Sequence, residues 1–240
     1  MLDLSKEYLS KFHSLIEEGK DRALIKELET LHANDIALIL NQIKRDDVHY
    51  LYRLLADDVR SDVIAELDEE VREDLLATLT SKEIAEDVID GLASDDATDI
   101  ISELSSEKIE EVFSHVKDKE SVSDVKSLLE YPEGTAGALM AKELVKVEET
   151  WSVAKAVKEI RVQSKDIENL YTIYVVDEKG KLTGRLSLQN LLLSSISART
   201  PIGDIIDTDE TVWINSNENE DLVVSLMERY DLVALPVVDD

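Results

Sequence analysis

Thr172–Leu192 reads TIYVVDEKGKLTGRLSLQNLL. Its opening run, Thr172–Asp177, is short, apolar and β-branched, the pattern of a buried strand. Glu178, Lys179 and Gly180 supply a turn, and Leu182–Leu188 returns as the second arm of a hairpin. A helix is expected over Leu188–Ile196. Upstream, Leu144–Val147 carries a strand signal. Trp151–Val162 has Val153, Ala156, Val157 and Ile160 at helical spacing. The same order then begins again, with a strand at Thr211–Ile214 and a helix at Glu218–Tyr230. LPVVDD at Leu235–Asp240 echoes IYVVDE at Ile173–Glu178. The second copy stops before its hairpin turn, returning strand and last helix, so it is expected to be incomplete as given.

The first half follows a different rule. Two adjacent apolar residues and a third at i+4 recur every 12 or 13 residues. They are Ile39-Leu40/Ile43, Leu51-Tyr52/Leu55, Val63-Ile64/Leu67, Leu75-Leu76/Leu79, Val88-Ile89/Leu92, Ile100-Ile101/Leu104 and Val112-Phe113/Val116. Positions i, i+1 and i+4 share one helical face. Asp57, Asp68, Ser81, Asp95 and Ser106 open successive units and suit helix N-caps. The expected structure is a superhelical array of short α-helices, each burying one stripe on its neighbours. A single long coiled coil fits the caps and the period badly. Residues 117–135 are polar and run into YPEGTAG, where Pro132 and Gly134 interrupt helix, so the domain boundary is placed there. The fold class is thus α followed by α/β, with domains at 1–130, 131–200 and 201–240.

The chain has no cysteine, which excludes disulfides, thiolate zinc sites and thiol catalysis. No apolar run approaches the ~18 residues of a membrane span, and the N-terminus lacks the apolar core of a signal peptide. The net charge of −28 disfavours nucleic acid and anionic membrane surfaces as partners. Residues 57–111 hold 20 acids and 4 bases, and residues 201–240 hold 11 acids and 1 base. These stretches carry −26 of the −28, leaving the other 145 residues near neutral. The charge favours a cationic partner, with plain solubility as the alternative.

The β-α-β-β-α unit with VVDEKGKLTGRLSLQNLL resembles a CBS (cystathionine-β-synthase-type) domain, followed by a second, truncated one. An acidic helical array, then YPEGTAGALM, then a CBS pair is similar to the cytosolic region of MgtE magnesium transporters. That resemblance covers nearly the whole chain. It implies homodimerisation through the CBS pair. It also implies a membrane pore domain beyond this sequence, a place on the cytoplasmic face of the cell membrane, and Mg²⁺ binding that holds the pore shut.

Asp95 and Asp99 lie in SDDATDII at i, i+4 spacing, which puts both carboxylates on one helix face. By themselves they read equally as a cap residue and a solvated acid. The resemblance makes them candidate ion ligands facing the CBS part. It gives the same role to Asp221 and Asp231, which flank the second CBS helix. It also points to Glu228 through its backbone, and to the backbone around Gly137. Asn219 stands where the family carries another acid. Mg²⁺ takes one or two carboxylates and keeps several waters, which suits sparse acids on facing surfaces. SDDATDII lacks the central Gly and distal Glu of an EF-hand loop. The resemblance also admits an adenine-nucleotide sensor. There Ser187 matches the family's ribose-binding hydroxyl, and Asn190 replaces the following Asp. A helical interaction scaffold is a further alternative. An enzyme is not expected: His13, His32, His49 and His115 are scattered, with neither metal-binding spacing nor a nearby nucleophile.

Overall fold

The structure is a computed structural model and describes residues 5–165, 167, 170–188, 191, 196–206 and 211–239. The chain forms two compact units, Met1–Ser127 and Leu128–Asp240. The helix expected over 188–196 falls largely outside the described residues.

The first unit is helical: α1 Lys6–Glu17, α2 Asp21–Leu28, α3 Ala33–Leu40, α4 Arg45–Leu54, α5 Asp57–Ala65, α6 Glu69–Leu76, α7 Ser81–Ile84, α8 Ser94–Ser102, α9 Ser106–His115 and α10 Lys119–Leu128. A π-helical turn, Ala85–Ile89, continues α7. Helices pack on the next but one, α2 on α4, α3 on α5, α4 on α6 and α7 on α9, which is the geometry of a short superhelix. The apolar triplets line its core. In all seven the adjacent pair is buried, and the third residue is buried or packed against the same cluster. Fully burying a Leu, Ile or Val stabilises by about 1.5–3 kcal/mol, so this stripe is what holds the array together.

Helices α3 to α9 are each entered through one residue with extended backbone, ψ 140–155°. Four of the five entry positions expected from sequence lie one or two residues late. The caps are Ala56, Thr80, Ala93 and Ser105, so Asp57, Ser81, Asp95 and Ser106 fall in first turns, and Asp68 alone of the five stands at a cap. The entry is set by backbone conformation, and acids are favoured in a first turn by the helix dipole whether or not they cap. Thr80 does close a capping box. It accepts the Glu83 N–H at 3.2 Å, and its own N–H donates to Glu83 Oε2 at 2.8 Å.

Entry residues recur at 32, 44, 56, 68, 80, 93 and 105, so one unit has 13 residues where the others have 12. That unit contains the π-turn, where the Asp90 N–H donates to the Ala85 carbonyl at 3.0 Å, five residues back. A π-turn absorbs one extra residue without breaking the helix, so the stripe stays in register. It also turns Asp87 inward. Asp87 is 5% exposed and accepts the Tyr52 hydroxyl at 2.9 Å.

Burial raises the Asp87 carboxyl pKa, opposed by the Tyr52 hydrogen bond and the Arg60 charge. A folded-state pKa above the unfolded one gives stability below the unfolded value that is lost as pH rises through the folded value. Asp87→Asn is therefore expected to gain on the natural chain in melting temperature between pH 4 and pH 7. A difference that does not vary with pH would refute this.

The second unit opens with α11 Ala136–Leu139. Strand β1 Val145–Glu148, helix α12 Val153–Gln163, strand β2 Ile173–Val176 and strand β3 Leu182–Leu186 follow. The sheet order is β1-β2-β3, with β1 parallel to β2 and β2 antiparallel to β3. Ile173 and Val175 point into a core with Val145, Val147, Ala156 and Ile160. The hairpin turn is clamped by Asp177, whose Oδ1 accepts the N–H groups of Lys179 and Lys181 at 2.8 and 2.9 Å, while Gly180 takes φ +81°. Those two backbone bonds hold the Asp177 pKa below the usual range. The second copy contributes β4 Ile214–Asn215, α13 Glu220–Tyr230 and β5 Val237–Val238, with β4 parallel to β5 as β1 is to β2. None of the residues of α13 is buried.

The two copies exchange arms. Before β1, Thr135 bridges Asn219, and the N–H groups of Ala136 and Gly137 donate to the carbonyls of Glu218 and Ser216 at 2.7 and 2.8 Å. Before β4, Pro201 bridges Ser152, and Ile202 and Gly203 donate to Trp151 and Glu149, both at 2.8 Å. Asn219 and Ser152 are the N-caps of α13 and α12. Each copy's leading segment thus braces the helix start of the other, and YPEGTAG is a docked arm as well as a connector.

Candidate metal-ion sites

Asp95 is the second residue of α8, and Asp99 stands one turn on. Ile100 and Ile101 are buried, and Asp99 is exposed on the opposite side. One oxygen of Asp95, Oδ1, is shielded from solvent and accepts no hydrogen bond. Partial burial and then the Asp95 charge raise the Asp99 pKa. Arg72 opposes them, and Glu103 adds to the rise. The face is therefore a pair of mutually repelling carboxylates with an orphaned acceptor oxygen. Such an oxygen costs free energy unless a positive partner meets it. A hard divalent cation with its water shell fits that requirement with these two side chains.

Sequence reading missed Glu103 and Arg72. Glu103 caps the C-terminus of α8, eight residues beyond Asp95, and so extends the same face. Arg72, on α6, donates Nε to Glu103 Oε1 at 2.9 Å and brings Nη2 to the same oxygen at 2.5 Å. The signal available in sequence was the i, i+4, i+8 acid ladder. Its basic partner lies 31 residues away, and nothing local points to it.

In the second unit the candidates are separated. Asp221 is the second residue of α13 and Asp231 is its C-cap. At a rise of about 1.5 Å per residue they stand about 15 Å apart, so the two cannot ligate one ion. Asp231 has φ 51° and ψ 49°, a left-handed conformation that Asp tolerates better than most residues. This turns the chain out of the helix, with the Asp231 N–H on the Glu228 carbonyl at 3.4 Å and the Leu232 N–H on the Met227 carbonyl at 2.9 Å. A carboxylate at the negative end of a helix dipole is electrostatically unfavourable alone, and a cation relieves it. Glu228 itself is exposed, and its carbonyl is the group turned to this corner. Asn219, where another acid was sought, is taken up as the N-cap and accepts the Leu222 N–H at 3.1 Å. The Gly137 N–H is committed to Ser216. Asn190 lies outside the described residues.

Among the described residues no three His, Asp or Glu side chains converge on one point as a metal cage. The five candidates form one pair, Asp95 and Asp99, and two separate corners at the ends of α13. No helix among the described residues is long and apolar enough to cross a membrane.

Comparison with known proteins gives consistent results. The MgtE intracellular N domain family matches residues 31–134, and the CBS domain family matches 136–197. The magnesium transporter MgtE of Thermus thermophilus is 32% identical over 226 residues, 94% of this chain and 50% of that protein. The chain thus spans about half the length of that relative. Among solved structures, the crystal structure of the cytosolic domain of the Mg²⁺ channel MgtE in complex with ATP superposes with TM-score 0.84. It is 30% identical and covers 97% of this chain and 93% of that one. The soluble part of a magnesium transporter shares the fold, with TM-score 0.78 at 23% identity, over 98% and 90% of the two chains.

Proposed function

The chain belongs to the MgtE family as its cytosolic region, and we propose that it senses Mg²⁺ and gates a magnesium-transporting membrane pore. In this reading the full-length protein resides in the cell membrane, with this region on its cytoplasmic face and the CBS pair joining two copies. The observation that carries the reading is the Asp95–Asp99 pair, with its solvent-shielded, unpartnered oxygen.

The mechanism follows from charge. Residues 57–111 and 201–240 carry −16 and −10, and like charges oppose the approach of the surfaces that bear them. Mg²⁺ held by Asp95 and Asp99, and by Asp221, Asp231 and the carbonyl of Glu228, cancels that repulsion and favours the closed arrangement. A ligand shifts such an equilibrium by its differential affinity for the two states. Moving it from 1:99 to 99:1 takes about 5.5 kcal/mol, which several weak sites supply together.

Isothermal titration of the metal-free chain is expected to show saturable Mg²⁺ binding. The Asp95→Ala/Asp99→Ala variant is expected to lose the tightest part of it, weakened at least about tenfold, the equivalent of about 1.4 kcal/mol. The radius of gyration should fall on adding Mg²⁺ to the natural chain and stay unchanged in the variant. Absence of Mg²⁺ binding up to the millimolar range would leave the acids as solubility features.

A second reading is adenine-nucleotide binding by the CBS part, favoured by the ATP complex of the structural relative and by the placement of Ser187 directly after β3. It requires the melting temperature to rise with ATP in the absence of divalent ions.

A further inference from the structure

We propose that Arg72 is a built-in counter-cation of the Asp95–Asp99 face, offsetting part of its charge when no divalent ion is bound and competing with that ion when one is. This rests on the Mg²⁺ reading above and adds the residue that sets the affinity.

The geometry fixes the guanidinium. Two of its nitrogens, Nε and Nη2, meet Glu103 Oε1, and Nη1 donates to the carbonyls of Ala65 and Leu67 at 3.3 and 3.1 Å. Those carbonyls close the C-terminal end of α5, where a cation is favoured by the helix dipole. The side chains of Arg72 and Glu103 are each 16% exposed, so the pair is largely screened from bulk solvent and salt. An arginine stays protonated at every physiological pH, and one fixed this firmly cannot withdraw when an ion arrives.

The charge balance is incomplete by design of the face. Arg72 satisfies one oxygen of Glu103, while Glu103 Oε2 and Asp95 Oδ1 remain solvent-shielded and unpartnered. One fixed positive charge thus pairs with Glu103 and acts on Asp99, on a helix face that carries three carboxylates, Asp95, Asp99 and Glu103. It holds the metal-free face together and leaves a net negative field for a divalent cation. The same charge repels that cation, so Arg72 trades ion affinity for stability of the empty state.

Two neutralising substitutions should act in opposite directions. Arg72→Gln is expected to tighten the Asp95/Asp99-dependent Mg²⁺ binding by roughly five- to tenfold. It should also lower the metal-free melting temperature, so that the Mg²⁺-induced rise in melting temperature grows. Glu103→Gln should weaken the same binding several-fold. Arg72→Lys keeps the charge and loses the fork, so it should bind Mg²⁺ as the natural chain does while melting earlier. If Arg72→Gln folds poorly, Arg72→Lys and Glu103→Gln carry the test by calorimetry. Equal or weaker Mg²⁺ binding in Arg72→Gln would reduce Arg72 to a structural tie and overturn the proposal. So would a Glu103→Gln affinity equal to or above that of the natural chain. Either result with binding still lost in Asp95→Ala/Asp99→Ala would leave the Mg²⁺ reading intact. No binding by the natural chain would overturn both.

Discussion

Gly91→Val is expected to lower the melting temperature of the helical unit by about 6–10 °C. Gly91 follows the π-turn, and a Cβ there would stand 2.0 Å from Ser61 Oγ, 2.8 Å from Ser61 Cβ and 3.2 Å from the Asp87 carbonyl oxygen. The Ser61 hydroxyl can rotate away, but its Cβ is fixed to α5 and 6% exposed. Relief therefore requires α5 and the π-turn, which pack against each other, to move apart. Overpacking of this kind costs about 1–3 kcal/mol, and each kcal/mol moves a transition of this size by several degrees. Adding Ser61→Gly removes the atoms in the way and should restore more than half of the loss. Differential scanning calorimetry decides it: a drop that Ser61→Gly leaves untouched would place the cost elsewhere.

Gly137→Val should release the arm that precedes β1. A Cβ at Gly137 would meet three atoms of the Tyr131 ring at 2.4–2.7 Å. The ring is anchored, with its hydroxyl on Asp239 Oδ1 at 3.1 Å, an oxygen that also accepts the Ser216 hydroxyl at 2.8 Å. Expelling it costs the Tyr131–Asp239 bond and the backbone pairs of Ala136 and Gly137 with Glu218 and Ser216. At about 1 kcal/mol net per hydrogen bond, the loss is roughly 3 kcal/mol. Cleavage by protease within residues 130–140 is expected to rise about a hundredfold, since a released arm is cut in proportion to its open population. Gly203 is the matching position in the other arm, where a Cβ would meet the Glu149 carbonyl oxygen at a tolerable 3.4 Å. Gly203→Ala should accordingly leave cleavage near the natural level. Equal sensitivity at both positions would show that the Tyr131 ring does not lock the arm.

The residues that sequence placed well are those whose role is local or periodic. The seven apolar triplets mark the buried stripe because helix geometry alone puts i, i+1 and i+4 on one face, and all seven line the core. The single 13-residue step was visible in the same list, from Leu75 to Val88, but its structural meaning was not. Only the fold shows the extra residue spent as a π-turn. The strands of the first CBS copy lie within a residue or two of their expected bounds, because a β-branched run followed by Glu-Lys-Gly leaves few alternatives. Four of the five cap positions were misplaced because a helix entry is set by an extended backbone residue, and two of those residues, Ala56 and Ala93, carry no side-chain signal for it.

By itself, the sequence determined the order of the segments, the helical period, the hairpin and the concentration of acid into two stretches. These follow from rules that act over a few residues. The tertiary structure alone decided that Tyr52 meets Asp87 across 35 residues, that Arg72 reaches Glu103 across 31, and that each CBS arm braces the other copy. The physical reason is that a charge or hydroxyl carries no mark of its distant partner. Its partner is chosen by which helices and strands pack together, and that is settled by the apolar stripe rather than by the polar residues it brings face to face.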